Sequence, residues 1–430
     1  MSEVLQIARD LIRFDTSNYD RDDDVVETPA AQYAMDLFAE VGLHPEWYEP
    51  IAGHPSVILR IPGEDRTRPG LLIHGHLDVV PAVAGDWSVD PFGAEIIDGM
   101  LYGRGAVDMK NMCAMIIALV RNMAREGWQP PRDIVVGLLA DEETGGKRGA
   151  HQLVNNRPEW FAGVSHAISE VGGYNTYVNG RRVYLLQTAE KGISWYKITA
   201  TGRAGHGSQI NEDNAVTKLA QALAAIGNEP WPIHLSPTVR TLLTGVAELS
   251  GIPFADNDPE IINTLIDALG PAKRYVGATT KSSAQLTQIQ GGYSTNVIPG
   301  QAWATVDARP LPGHEKAVEE RLRELARGCH VESIHQDDGI EYEFSGPEVA
   351  AMVAALKAED PQAEVLPYML SAGTDNKAFS KLGIKGYGFA PVQVPPGFDF
   401  PAMFHGVDER IPVDSLDFGL RVLTHFVRNC

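Results

Sequence analysis

The segment "LLIHGHLDVV", Leu71 to Val80, sets His74, His76 and Asp78 at alternate positions inside an apolar run. In an extended strand alternate side chains share a face, so two imidazoles and a carboxylate line one side of a strand otherwise suited to burial. Imidazole and carboxylate without thiolate make the donor set of a catalytic divalent-metal site. The same residue types recur at the ends of other apolar runs: Asp108 in "GRGAVDMK", Glu142 and Glu143 in "LLADEETGG", Glu170 in "AISEVGG", His405 in "FHGVDER". Each alone is a weak signal. A single strand histidine is ordinarily a hydrogen-bonded core residue, and paired glutamates after a strand ordinarily mark a helix start. As a set they exceed one open site and suit a two-metal site sharing one carboxylate. Adjacent Glu142 and Glu143 fit a division between a ligand and a free base.

Such residues need strand ends to hold them. "SVILRI", "GLLIHGHLDVV", "DIVVGLLADEE" and "HAISEV" read as strands, separated by helical stretches such as "NMCAMIIALVRNMAREG". This alternation predicts an α/β layered domain whose ligands gather beyond the strand C-termini. The acidic run "DRDDDVVETP" reads as a solvated loop, with Thr28 capping the next helix and Pro29 in its first turn. From about Lys191 the pattern changes. "GISWYKITATGRA", "SSAQLTQIQGG", "AWATVDARPLPG" and "GIEYEFSG" alternate like antiparallel strands, with helices at about Asn214–Ile226 and in "EKAVEERLRELARGC". The order β-α-β-β-α-β predicts a split-βαβ (ferredoxin-like) domain inserted into the larger one. The fold class is therefore a mixed-sheet α/β/α domain, residues 1–189 and 345–430, interrupted by a smaller domain, or lid, at 190–344. Within that insert, Leu243 to Glu260 would either line a pocket or pack the lid.

Composition narrows the function. A net charge of −20 opposes binding to nucleic acid or to an anionic membrane. Cys113, Cys329 and Cys430 form neither a disulfide framework nor a CxxC metal knot. No apolar window is long enough to span a bilayer and the N-terminus is an amphipathic helix rather than a signal peptide, which points to the cytoplasm. There is no G-x-S-x-G elbow, no Walker A loop and no H-E-x-x-H. "YGRGAVD" imitates a dinucleotide fingerprint only superficially, because Asp108 stands at its third glycine.

In order along the chain, "HGHLDVVPA", "GRGAVDMKNMCA", "LLADEETGG", "ISEVGG", "AGHGSQ", "STNVIPG", "VDARPLPG", "SAGTDNKAF" and "FHGVDERIPVDSL" resemble the motifs of one family. It is the dinuclear zinc peptidases and deacylases that include aminoacylase, acetylornithine deacetylase, succinyl-diaminopimelate desuccinylase, glutamate carboxypeptidase and carboxypeptidase S. The resemblance implies that Asp108 bridges two divalent metal ions, zinc first, with Co2+ or Mn2+ able to take the same donors. It implies His76 and Glu170 as ligands of one metal, Glu143 and His405 of the other, and Glu142 as general base. Asp78 becomes the carboxylate that orients His76, and His74, matching no functional position, is structural. His206 in "GRAGHGSQ" would assist the oxyanion from a partner subunit. Asn296 and Arg309 would hold a substrate carboxylate, joined by backbone donors around Gly373 and Thr374.

The implied enzyme is an amidohydrolase of N-acyl amino acids or dipeptides with a free carboxylate, a homodimer through its lid. Its motifs lie closer to the carboxypeptidase S and N-acyl-amino-acid hydrolase branch than to the acetylornithine branch. The alternatives are a dinuclear aminopeptidase or dipeptidase that recognises a free amine, and a non-catalytic metal-binding module.

Overall fold

The computed structural model describes residues 1–21 and 27–430; the loop expected in the acidic run lies largely outside them. Helix Thr28–Ala39 begins at the expected cap residue itself, so the N-cap falls one residue earlier, at Glu27. The Glu27 carboxylate does not cap the helix. It accepts the Asp141 N–H at 2.9 Å and lies 2.7 Å from His54 Nδ1, both side chains fully buried.

The large sheet is mixed. Its middle strands, Ile134–Leu139, Gly70–His76, Val164–Ser169 and Lys385–Gly388, lie side by side and parallel. Alternation along them separates two cores. Leu71, Ile73, Ile134 and Val136 face helices Glu3–Arg13, Lys110–Glu126 and Val413–Asn429. Leu72, Val135 and Leu139 face helices Ala150–Asn156 and Asn376–Ser380 on the other side. Helix Lys110–Glu126 is buried over most of its surface and stops at Gly127, whose left-handed φ of 69° lets its N–H return to the Met123 carbonyl. The parallel strands end at one rim, where the chemistry-bearing residues sit.

The smaller sheet is antiparallel, in the order Ser283–Gly291, Gln301–Arg309, Ile193–Thr201, His330–Asp337. Helices Ala215–Gly227 and Glu315–Leu325 cover one face, burying Ile198, Ala304, Val306, Leu219 and Leu322. Asn214 starts the first of these helices, its side chain accepting the N–H groups of Val216 and Thr217. This is the split-βαβ arrangement, with one change of membership. The fourth strand is His330–Asp337; of "GIEYEFSG" only Ile340–Glu341 is extended, and it pairs with Arg181–Glu190 of the large sheet.

The expected insert, 190–344, is also not one packing unit. Helices Pro237–Ser250 and Pro259–Asp267 bury Val239, Leu242, Leu243, Val246, Ile262 and Leu265 in the large core. Gly245 shows how closely they pack: a Cβ there would lie 2.4 Å from Leu366 Cδ2 on strand Glu364–Leu370. The start of the Leu243–Glu260 segment therefore packs on the catalytic sheet, where apolar helix faces find a ready partner, rather than inside the lid. Among the described residues no helix is long and apolar enough to cross a membrane.

Candidate active site

His76 ends its strand, and Asp78 lies just beyond it. The Asp78 backbone carbonyl is 3.0 Å from His76 Nδ1, closer than its carboxylate at 3.4 Å. A carbonyl only accepts, so Nδ1 carries a hydrogen. Nε2 points at Asp108 Oδ1 (3.1 Å) and Glu170 Oε2 (3.5 Å). The expectation for Asp78 shifts accordingly. Its main chain makes the shorter contact to His76, and its carboxylate accepts the N–H groups of Glu142 and Glu143, each at 3.1 Å, and the Asn18 amide at 3.0 Å.

The turn bearing Glu142 and Glu143 follows strand Ile134–Leu139. It starts from Asp141, whose φ of 68° is unfavourable for a side-chain-bearing residue. Asp141 is held there by hydrogen bonds to its carboxylate from Thr144 Oγ1 (2.6 Å), the Arg148 guanidinium (2.8 Å) and Asn18 (3.1 Å). Val171 and His405 also have positive φ, 60° and 59°. Strain of this kind, about 1–3 kcal/mol per residue, gathers where a fold positions reactive groups.

His405 comes from the far end of the chain. Its Nε2 lies 3.2 Å from Asp108 Oδ2 and 3.0 Å from Glu143 Oε2. The two oxygens of Asp108 thus serve two groups, His76–Asp108–Glu170 and Asp108–Glu143–His405, with ligand atoms within 4.8 Å of one another in each. Glu142 belongs to neither; its Oε2 is 3.9 Å from His76 Nε2.

The electrostatics fit cations. Burial pushes Glu170 up to about 8 and Glu142 well above the carboxylate range, with Glu170's charge adding to the shift at Glu142. Asp108 is held far down, because hydrogen bonds from His405 and His76 outweigh its burial. Hydrogen bonds to Asp108 and Glu143 raise His405 to about 10. The pocket holds more carboxylate than nearby positive charge can balance, a deficit that divalent cations would fill.

A cavity of about 410 Å³ opens beside these groups, and Arg309, Gly373 and Thr374 line it as well. Asp307 clasps the Arg309 fork, Nε to Oδ1 at 2.8 Å and the terminal nitrogen to Oδ2 at 3.0 Å. Thr374 does not supply the expected backbone donor. Its N–H (3.0 Å) and hydroxyl (2.7 Å) both go to the buried carboxylate of Glu190. Gly373 is a point of close approach, where a Cβ would lie 2.5 Å from Lys377 Cε.

Within one chain, His206 and Asn296 do not line this cavity. They are neighbours on an exposed ribbon, Gly205–His206 against Val297–Ile298, with Gly207 N–H donating to the Asn296 carbonyl at 2.8 Å. Asn296 and Arg309, expected together, are therefore apart: Arg309 ends a strand of the sheet, whereas Asn296 sits in the preceding loop. His74 is structural. Its ring is buried, 2.9 Å from Asn376 Oδ1 and packed on Phe379, and burial lowers it to about 4.

The residue sequence reasoning missed is Glu409, which is fully buried against Arg104 and the chain around Asp108. Its signal was its place inside "FHGVDER", four residues after His405.

Residues 72–429 match the family model described as Peptidase family M20/M25/M40. The chain belongs to this family. M20-family membership makes it a hydrolase of amide bonds. It is 28% identical over 401 residues to Aminoacylase-1 of Sus scrofa, covering 89% of this chain and 85% of that protein. It is 25% identical to Probable carboxypeptidase S-like 2 of Dictyostelium discoideum, covering 88% and 75%. In fold it resembles an M20 family metallo-carboxypeptidase from Sulfolobus solfataricus, with TM-score 0.77, 17% identity and coverage of 100% and 99%. Human carnosine dipeptidase 1 follows at TM-score 0.68, 17% identity and coverage of 99% and 95%.

Proposed function

We propose that this M20-family chain is a dinuclear-metal amidohydrolase of N-acyl amino acids, or of dipeptides with a free carboxylate. The observation that carries the reading is the Asp108 carboxylate, whose two oxygens face two separate ligand groups beside an open cavity. Two divalent ions held there, zinc first by its liking for imidazole and carboxylate, would acidify a water and polarise the scissile carbonyl. His76, Asp108 and Glu170 would hold one ion; Asp108, Glu143 and His405 the other. Glu142, in neither group, takes the attacking water's proton and delivers it to the departing nitrogen. Asp78 fixes the turn that presents it.

Arg309 supports recognition of a carboxylate, its fork already oriented by Asp307. The relatives named as an aminoacylase and a carboxypeptidase fit such a substrate. Val171, Tyr275, Pro401 and Phe404 form an apolar stretch of the lining, with Tyr275 edge-on to Phe404 at 5.8 Å. That stretch favours an apolar group on the substrate. His206 and Asn296 do not line their own cavity, which supports their use by a second copy. The edge strand Ser283–Gly291, with Leu286 and Ile289 exposed, offers the lid surface for such a homodimer.

The test compares N-acetyl amino acids and dipeptides with unblocked amino acid amides, with and without chelator. Chelator-sensitive cleavage of the blocked, carboxylate-bearing substrates is expected. Cleavage confined to the free-amine amides would favour an aminopeptidase, and no cleavage at all a non-catalytic module.

A further inference from the structure

We infer that Glu409, together with Arg104, is a positioning residue that joins the Asp108 loop to the His405 loop and sets how tightly the His405–Glu143 half binds its metal. The inference rests on the two-metal reading above. It concerns a residue outside both ligand groups.

Residues 103–108 run from strand Met100–Tyr102 toward helix Lys110–Glu126, and no sheet partner takes their N–H groups. Buried N–H groups need acceptors. One carboxylate takes three of the six. Glu409 Oε1 accepts from Val107 (2.6 Å) and Asp108 (3.1 Å), while Oε2 accepts from Gly105 (3.2 Å) and the Arg104 guanidinium (2.7 Å). Gly103 N–H donates to the Glu409 backbone carbonyl at 3.0 Å. Arg104 then reaches the His405 carbonyl at 3.4 Å and lies over the Trp87 ring at 5.2 Å.

The clasp is asymmetric. It holds Asp108 through its own N–H and His405 through its carbonyl, two of the three ligands in one half. Of the His76–Glu170 half it holds only the shared Asp108. Glu409 is 0% exposed and Arg104 4%, so solvent does not replace a lost contact. A purely structural ion pair would lower stability without ranking the two metals; a positioning pair ranks them.

The experiment uses the full chain and zinc. Metal-free wild type, Glu409→Gln and Glu409→Asp are titrated with zinc against a chromophoric chelator, metal-free thermal melts are recorded, and kcat and KM on an N-acyl amino acid are followed as zinc rises. Wild type should take two equivalents. Glu409→Gln keeps the volume but turns an amide donor toward N–H groups. It should weaken one of the two equivalents about 10- to 100-fold, the usual effect of losing a partner behind a ligand, and the other no more than about 3-fold. Its kcat should recover in excess zinc with KM unchanged, and Glu409→Asp should lie between. Two equivalents bound as in wild type, or both weakened alike, would overturn the inference while leaving the two-metal reading intact. Fewer than two equivalents in wild type would overturn both. Should Glu409→Gln fail to fold, Arg104→Lys, which keeps the charge but not the fork toward His405, must show the same ranking or the inference falls.

Discussion

The two halves of the proposed metal centre are built from different kinds of chain. His76 and Glu170 stand at or just past the ends of neighbouring parallel strands, their side chains 1% and 7% exposed. Ladder hydrogen bonds fix their spacing before any side chain is considered. Glu143 and His405 stand on a short turn and a loop, and the His405 side chain is 54% exposed. Their spacing depends on carboxylates that grip backbone: Asp78 on Glu142 and Glu143, Glu409 on Asp108. One half is set by the sheet. The other is assembled around it.

Replacing Glu142 tests whether either half is catalytic without the proposed base. Glu142→Gln should lower kcat by about 10²- to 10⁴-fold and leave metal content unchanged. A variant that loses metal along with rate would make Glu142 a ligand and blur the division into halves.

Stability should separate the halves next. His76→Ala removes a buried imidazole from among Asp108, Glu142 and Glu170, leaving uncompensated carboxylates. The metal-free protein should lose about 3 kcal/mol or more, read by urea unfolding. His405→Ala, at a half-exposed position where water reaches the carboxylates left behind, should cost less in the same assay. Equal losses would erase the contrast.

Arg309→Lys probes substrate rather than metal: charge without the fork should raise KM about tenfold with kcat little changed. The smallest effect is expected at His74, on the same strand as His76 but facing Asn376. His74→Gln should cost about 1 kcal/mol of stability and leave kcat and metal count as they were. A tenfold fall in kcat would place His74 in the site.

What the sequence revealed follows the same contrast. Alternation in "LLIHGHLDVV" and polar residues closing apolar runs marked the strand ends, because buried strands leave little room for such residues. Three strands of the small sheet were legible for the same reason. His330–Asp337 was not: it is an edge strand whose inward apolar residue is Val331, too little to show a period. Helix Pro237–Ser250 was placed in the lid by contiguity, while its apolar face belongs to the large sheet. Thr374 and Glu409 were misread or missed because their roles lie in contacts with Glu190 and with residues 104–108. Pairings across hundreds of residues leave no local period.

The most direct measurement is anomalous scattering from crystals of the full chain grown with zinc. The account predicts two peaks with the Asp108 carboxylate between them, one beside His76 and Glu170, the other beside Glu143 and His405. A single peak, or a pair in which Asp108 touches only one ion, would contradict it.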